Sequence, residues 1–190
     1  AEHAGLTFEL IETLYGTPPR SYHNLDHIRA VLAVFDEARR LADQPDTVEF
    51  ALWMHDCICE ADKDNNEARS AENATMIGGL LGCDAEFLAR ARDLILATHH
   101  AGAPTAGDEA LIADIDLAVL ASTQPEYDAS AAGIRGKYTF LSDAHFNAGR
   151  AAFLERMLGR KTIYTTAYFP SHYEKDARAN LERELDGLHR

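Results

Sequence analysis

The stretch Leu25 to Ala42, LDHIRAVLAVFDEARRLA, sets Ile28, Val31, Leu32, Phe35 and Leu41 at helical spacing. That pattern gathers them on one face of an α-helix, the face a globular protein turns to its core. His27 falls on the same side as Val31, Val34, Phe35 and Ala38, so the stripe carries an imidazole inward. A buried polar ring needs a partner, and the rest of the chain has to supply it.

Helical periodicity continues on both sides. Leu6 to Tyr15 reads as a short helix closed by Gly16 and Pro18-Pro19. Asp46 or Thr47 is expected to cap a helix running through Phe50, Trp53 and Met54 to about Cys57. Ile58 to Asn65 is polar and reads as loop, and Asn66 to Leu81 as a helix stopped by Gly82. Asp84 should cap a helix through Leu88, Leu94 and Ile95 to about His99, followed by a Gly/Pro-containing loop, Ala101 to Gly107. Glu109 to Ala121 is apolar nearly all round, which predicts a central helix. Pro125 opens a helix to about Leu141, and Ala144–Leu158 and Ser171–Leu188 complete the set. Lys161 to Phe169 has Thr, Ile and Tyr content that suits an extended segment, with loop or short helix favoured. The expectation is an all-α fold: one domain over residues 1–190, a helical bundle with additional C-terminal helices.

Composition narrows the function. Of 190 residues 46% are hydrophobic and 26% charged, enough apolar material for a real core. The net charge of −13 argues against broad binding to nucleic acid or to anionic membranes. A small phosphorylated substrate remains compatible, provided a metal or a local cation supplies positive charge. Cys57, Cys59 and Cys83 are odd in number and form no zinc-ribbon pair, so free thiols are expected. No basic-then-apolar leader and no apolar run of about 20 residues occurs. The expectation is a cytoplasmic protein, monomer or homodimer.

The chemistry concentrates in four segments: Tyr22-His23-Asn24-Leu25-Asp26-His27, His55-Asp56, His99-His100 and Asp114-Ile115-Asp116. Each sets His or Asp in or beside an apolar helix, where an unpaired carboxylate is costly. Several such groups on separate helices point to convergence on one cation. Asp114 and Asp116 lie about 200° apart around a helix, so only one can face a given site. Asp116, one turn from Ile112 and from Val119-Leu120, is the better ligand. His27, His55, Asp56 and Asp116 together form a nitrogen-and-oxygen donor set without thiolate, suited to a divalent Mn, Fe, Co, Ni, Zn or Mg ion.

These residues resemble the HD superfamily, whose ligand pattern H…HD…D maps onto His27, His55-Asp56 and Asp116. YHNLDH also resembles the YHNxxH segment of cyclic-nucleotide phosphodiesterases, which implies His27 as metal ligand and His23 as general acid. The likeness is closer to a bacterial group of predicted metal-dependent HD phosphohydrolases. It rests on Arg20-Ser21-Tyr22-His23-Asn24, Asn66-Glu67-Ala68-Arg69-Ser70-Ala71, Asp114 to Leu120, Ile134-Arg135-Gly136-Lys137-Tyr138 and Ala177-Arg178-Ala179-Asn180. Lys137 departs from that pattern, where an acid is expected.

The resemblance implies a metal-dependent phosphohydrolase in which water on the metal attacks phosphorus. The substrate class is a small phosphorylated compound, nucleotides included. Glu67 is a candidate base or ligand-orienting acid, against the alternative of a first-turn acid facing the helix dipole. Arg20, Arg135, Lys137 and Arg178 are candidate phosphate contacts, and His99 a candidate substrate contact. Two rivals stand beside this reading: a dinuclear iron oxygenase, to which His99 or His100 would add a ligand, and a non-catalytic nucleotide sensor.

Overall fold

A computed structural model of the protein describes residues 2–16, 20–100 and 106–189. Every regular element among them is helical, as expected. In chain order these are α1 (Glu2–Gly16), α2 (Leu25–Ala38) running into a 3₁₀ turn (Arg39–Leu41), α3 (Pro45–Met54), α4 (Asn66–Leu80) and α5 (Ala85–Ala97). They are followed by α6 (Gly107–Asp116) with a second 3₁₀ turn (Leu117–Ala121), then α7 (Gln124–Lys137), α8 (Asp143–Leu158), α9 (Tyr168–His172) and α10 (Glu174–Leu188). Pro18-Pro19, and residues 101–105 of the expected loop, lie outside the described residues.

The stripe of α2 is buried at Ile28, Val31, Phe35 and Ala38, with His27 among them. It meets Leu52 of α3, Leu94 of α5 and Ile112 and Ile115 of α6, all fully enclosed. Each such side chain contributes about 1.5–3 kcal/mol by leaving water. Leu41 departs from expectation at 41% exposure. The chain tightens to 3₁₀ at Arg39, and three residues per turn rotate position 41 off the α-helical stripe.

Other boundaries shift for local reasons. Pro45 takes the first turn of α3, where its missing N–H has no intrahelical acceptor to satisfy, so Asp46 and Thr47 sit inside the helix and do not cap it. Just ahead of it, the buried Asp108 carboxylate accepts from the Asp43 and Gln44 amides at 2.8 and 3.0 Å. Asp84 does cap α5, accepting from Phe87 N at 2.8 Å, and Gly82 ends α4 in the left-handed region at φ +80°. The expected final helix is interrupted at Tyr173, where the Glu174 carboxylate accepts the Ile163 amide at 2.9 Å. Residues 161–167 are loop, the favoured alternative.

Two glycines let α7 lie directly on the Ser21–Tyr22 segment. A Cβ at Gly133 would come 2.7 Å from the Ser21 carbonyl oxygen, and one at Gly136 3.0 Å from Ser21 Cβ. Among the described residues no helix is long and apolar enough to cross a membrane.

Candidate metal centre

Asn24 begins the centre. Its side chain accepts from Asp26 N and His27 N at 2.9 and 3.2 Å, capping α2 and fixing His27 in the first turn with its ring inward. His55 follows the last residue of α3, and its Nδ1–H donates to Leu52 O at 2.8 Å. That bond assigns the tautomer: the Nε2 lone pair of His55 faces the centre, the arrangement in which an imidazole binds a metal.

Four side chains converge there. His27 Nε2 lies 3.2 Å from His55 Nε2. Asp56 Oδ2 is 3.1 Å from His55 Nε2 and 3.4 Å from His27 Nε2, and Asp116 Oδ1 is 3.4 Å from both. The donor atoms of His27, His55 and Asp116 all fall within 4.8 Å of one another. Atoms held about 2.0–2.2 Å from a divalent ion sit roughly 2.9–3.4 Å apart along the edges of its coordination polyhedron. The spacing is compatible with a shared cation.

The electrostatics agree. Burial alone would discharge the two imidazoles, yet the Asp56 and Asp116 carboxylates outweigh it and raise both, His55 well above its ordinary value. Burial likewise pushes the two acids up, but the surrounding histidines hold both well below the usual carboxylate range. Two half-buried carboxylates thus call for positive charge at this point, as protons on the rings or as an ion displacing them.

Around this core lies a pocket of about 150 Å³ lined by His23, Asp56, Cys59, Glu67, His99, His100, Asp116 and Lys137 among others. His23 Nε2 is 3.6 Å from Asp56 Oδ2, and its Nδ1 lies 3.3 Å from Cys59 Sγ and 3.5 Å from Lys137 Nζ. With Nδ1 facing two donors, the ring proton belongs on Nε2. Burial pushes the His23 pKa down to about 4, so the free protein holds it neutral.

His100, rather than the exposed His99, reaches the centre: its Nε2 donates to Asp116 Oδ2 at 2.8 Å, while His99 stays at the rim. His100 Nδ1 is buried without a partner among the described residues. His23 and His100 are also the non-glycine residues with positive φ, +51° and +53°. That backbone costs about 1–2 kcal/mol per residue and collects where function demands it.

Three of the four candidate phosphate contacts are committed elsewhere. The Arg20 guanidinium donates to the carbonyls of Leu14, His23, Asp56 and Cys57 at 2.7–3.0 Å, clamping both ligand-bearing segments. Arg135 closes the end of α7 through Tyr138 O, Leu141 O and Asp143. Arg178 binds Glu174 and the carbonyls of Leu158 and Arg160. Lys137 alone of the four lines the pocket.

Sequence reasoning left other residues without a role. Asn66 holds Glu60 through N–H and C=O at 2.9 and 2.8 Å, and Ser70 grips Ile58 in the same way at 3.0 and 3.3 Å, so both pin the loop after His55-Asp56. Asn180 donates to Leu120 O and Ser122 O at 3.0 and 2.9 Å, fixing the turn beyond Asp116. An unassigned polar residue at a fixed place in a motif was the available signal. On the other side of His27 lies a larger, mostly apolar groove of about 660 Å³, bounded by Tyr22, Val31, Ile115, Val119 and Tyr173.

Comparison of the chain with models of known protein families, with curated proteins and with solved structures finds no match.

Proposed function

We propose that the protein is a metal-dependent phosphohydrolase that cleaves a phosphoester or pyrophosphate bond in a small substrate, nucleotides included, and that its resemblance to the HD superfamily reflects this chemistry. One observation carries the reading: two imidazole nitrogens and two carboxylate oxygens from three separate segments, with contacts of 3.1–3.4 Å around one point. His27, His55, Asp56 and Asp116 would hold a divalent ion. Such an ion supplies a water of lowered pKa and charge that neutralises a phosphoryl oxygen.

The chain's own groups do the rest. Arg20 holds the His23 and His55-Asp56 segments in mutual register. Glu67, on the pocket wall, accepts a proton from the attacking water. His23 starts neutral, and the negative charge of a bound phosphoryl group raises its pKa until it can protonate the leaving oxygen. The test is metal identification on protein purified without added metal, then a panel of nucleotides and simple phosphoesters with Mn²⁺, Co²⁺, Ni²⁺ and Mg²⁺. Bound divalent metal with released phosphate supports the reading. Tight nucleotide binding with no product would make the protein a sensor.

One observation favours a second reading. Asp116 turns Oδ1 to His27 and His55 and Oδ2 to His100, so that with His100 deprotonated the carboxylate could be shared between two ions. Two irons per chain with O₂ consumption would establish a dinuclear oxygenase instead.

A further inference from the structure

We propose that Lys137 is the anion anchor of the metal pocket, and that the pocket admits a terminal phosphoryl group while the remainder of the substrate stays outside. This rests on the reading of His27, His55, Asp56 and Asp116 as a metal centre. Lys137 is the last residue of α7 and is half-buried on the pocket wall, within 3.5 Å of His23. Among the described residues it makes no salt bridge; its neighbours are His23, the Cys59 thiol and the Tyr138 ring, with the Asp56 carboxylate adding a longer-range attraction. Every other candidate cation is tied to backbone carbonyls or to an acid. A half-buried ammonium on a pocket wall with no carboxylate in direct contact is placed to meet an anion.

Charge and volume set the class of ligand. A divalent ion cancels Asp56 and Asp116, and Lys137 then offsets Glu67, leaving a lining close to neutral despite a chain charge of −13. The about 150 Å³ of this pocket is well below the roughly 300–1,000 Å³ that encloses a drug-sized ligand. A phosphoryl group fits such a space, and a whole nucleoside does not. Lys137 meets the phosphoryl oxygens from the end of α7, whereas the metal ligands come from α2, the segment after α3, and α6.

The experiment is calorimetric titration of Mn²⁺-loaded protein with inorganic phosphate, methyl phosphate and dimethyl phosphate, with metal content measured on each sample. The parent should bind phosphate and methyl phosphate and reject dimethyl phosphate. Lys137→Ala should weaken phosphate binding at least tenfold at unchanged metal content, and Lys137→Arg should restore it to within a few fold. Lys63→Ala, which removes an exposed lysine paired with Asp62 outside the pocket, should stay within about twofold of the parent. Phosphate binding to Lys137→Ala equal to the parent's, or to a metal-loaded parent not at all, overturns the anchor and leaves the metal centre standing. A loss in Lys63→Ala matching that in Lys137→Ala would make the effect one of overall charge and overturn it too. Equal binding of dimethyl phosphate removes the terminal-group specificity. A parent that takes up no divalent metal overturns both readings together.

Discussion

Asp114 and Asp116 stand two residues apart on α6 and answer to opposite surroundings. Asp114 accepts from Thr165 N and Thr166 N at 2.8 Å each and from Thr166 Oγ1 at 2.6 Å, so its oxygens meet donors from the loop that α6 helps to hold. Asp116 meets three imidazoles. Burial raises the Asp114 pKa despite its hydrogen bonds, whereas the histidines hold Asp116 well below the ordinary range despite burial. Asp108 and Glu174 belong with Asp114, since both accept backbone amides. Asp56 belongs with Asp116. A buried acid satisfied by backbone N–H groups is a brace. A half-buried acid ringed by imidazoles is compatible with a cation beside it.

Four experiments break or sharpen that division. Asp116→Ala should abolish metal retention and lower turnover about a thousandfold or more; normal metal content in the variant would dissolve the distinction. Asp114→Ala should do the reverse. It strands three donors and should cost roughly 3 kcal/mol, lowering Tm by about 6–12 °C, with full metal content where the protein is folded.

The third compares chelated and metal-loaded protein across pH. His27 and His55 have raised pKa values, so their contribution to metal-free stability is complete below about 6.5, the ordinary histidine value, and fades as pH rises through the folded values. Metal binding instead strengthens as those protons leave. The melting difference between loaded and chelated protein should therefore widen between pH 6 and 8 by about 1–2 kcal/mol, and a constant or narrowing difference would contradict the assignment. The smallest effect is expected from His100→Asn, since Asn tolerates positive φ and only the ring on Asp116 is lost. Metal affinity should fall about tenfold with Tm nearly unchanged, read by competition with a chromogenic chelator.

What the sequence disclosed follows from which forces are local. Helical periodicity is local, so the all-α fold, the inward ring of His27 and the opposite facing of Asp114 and Asp116 were legible. The choice between His99 and His100 was not. Beyond the Thr98 cap the chain enters positive φ, and no helical period predicts where the next ring points. The roles of Arg20, Arg135 and Arg178 were hidden because carbonyl partners leave no trace in residue identity. The protonation of His23 was hidden because its burial is made by α7 and the loop at Cys59. Lys137 drew notice as the residue that broke the pattern, and its place on the pocket wall gives that departure a physical meaning.

The hydrogen atom at Gly133 has a consequence at a distance. A Cβ there would meet the Ser21 carbonyl first and the Tyr22 side chain behind it, so even alanine would act as a wedge, lifting α7 off Ser21 by several tenths of an ångström. Lys137 rides on the same helix one turn further on, so the lift would be transmitted to the mouth of the pocket as added width. Gly136 meets the smaller obstacle of the Ser21 side chain and offers a finer adjustment of the same kind. The two positions form a mechanical dial for the width of the pocket, adjustable without altering any residue that lines it.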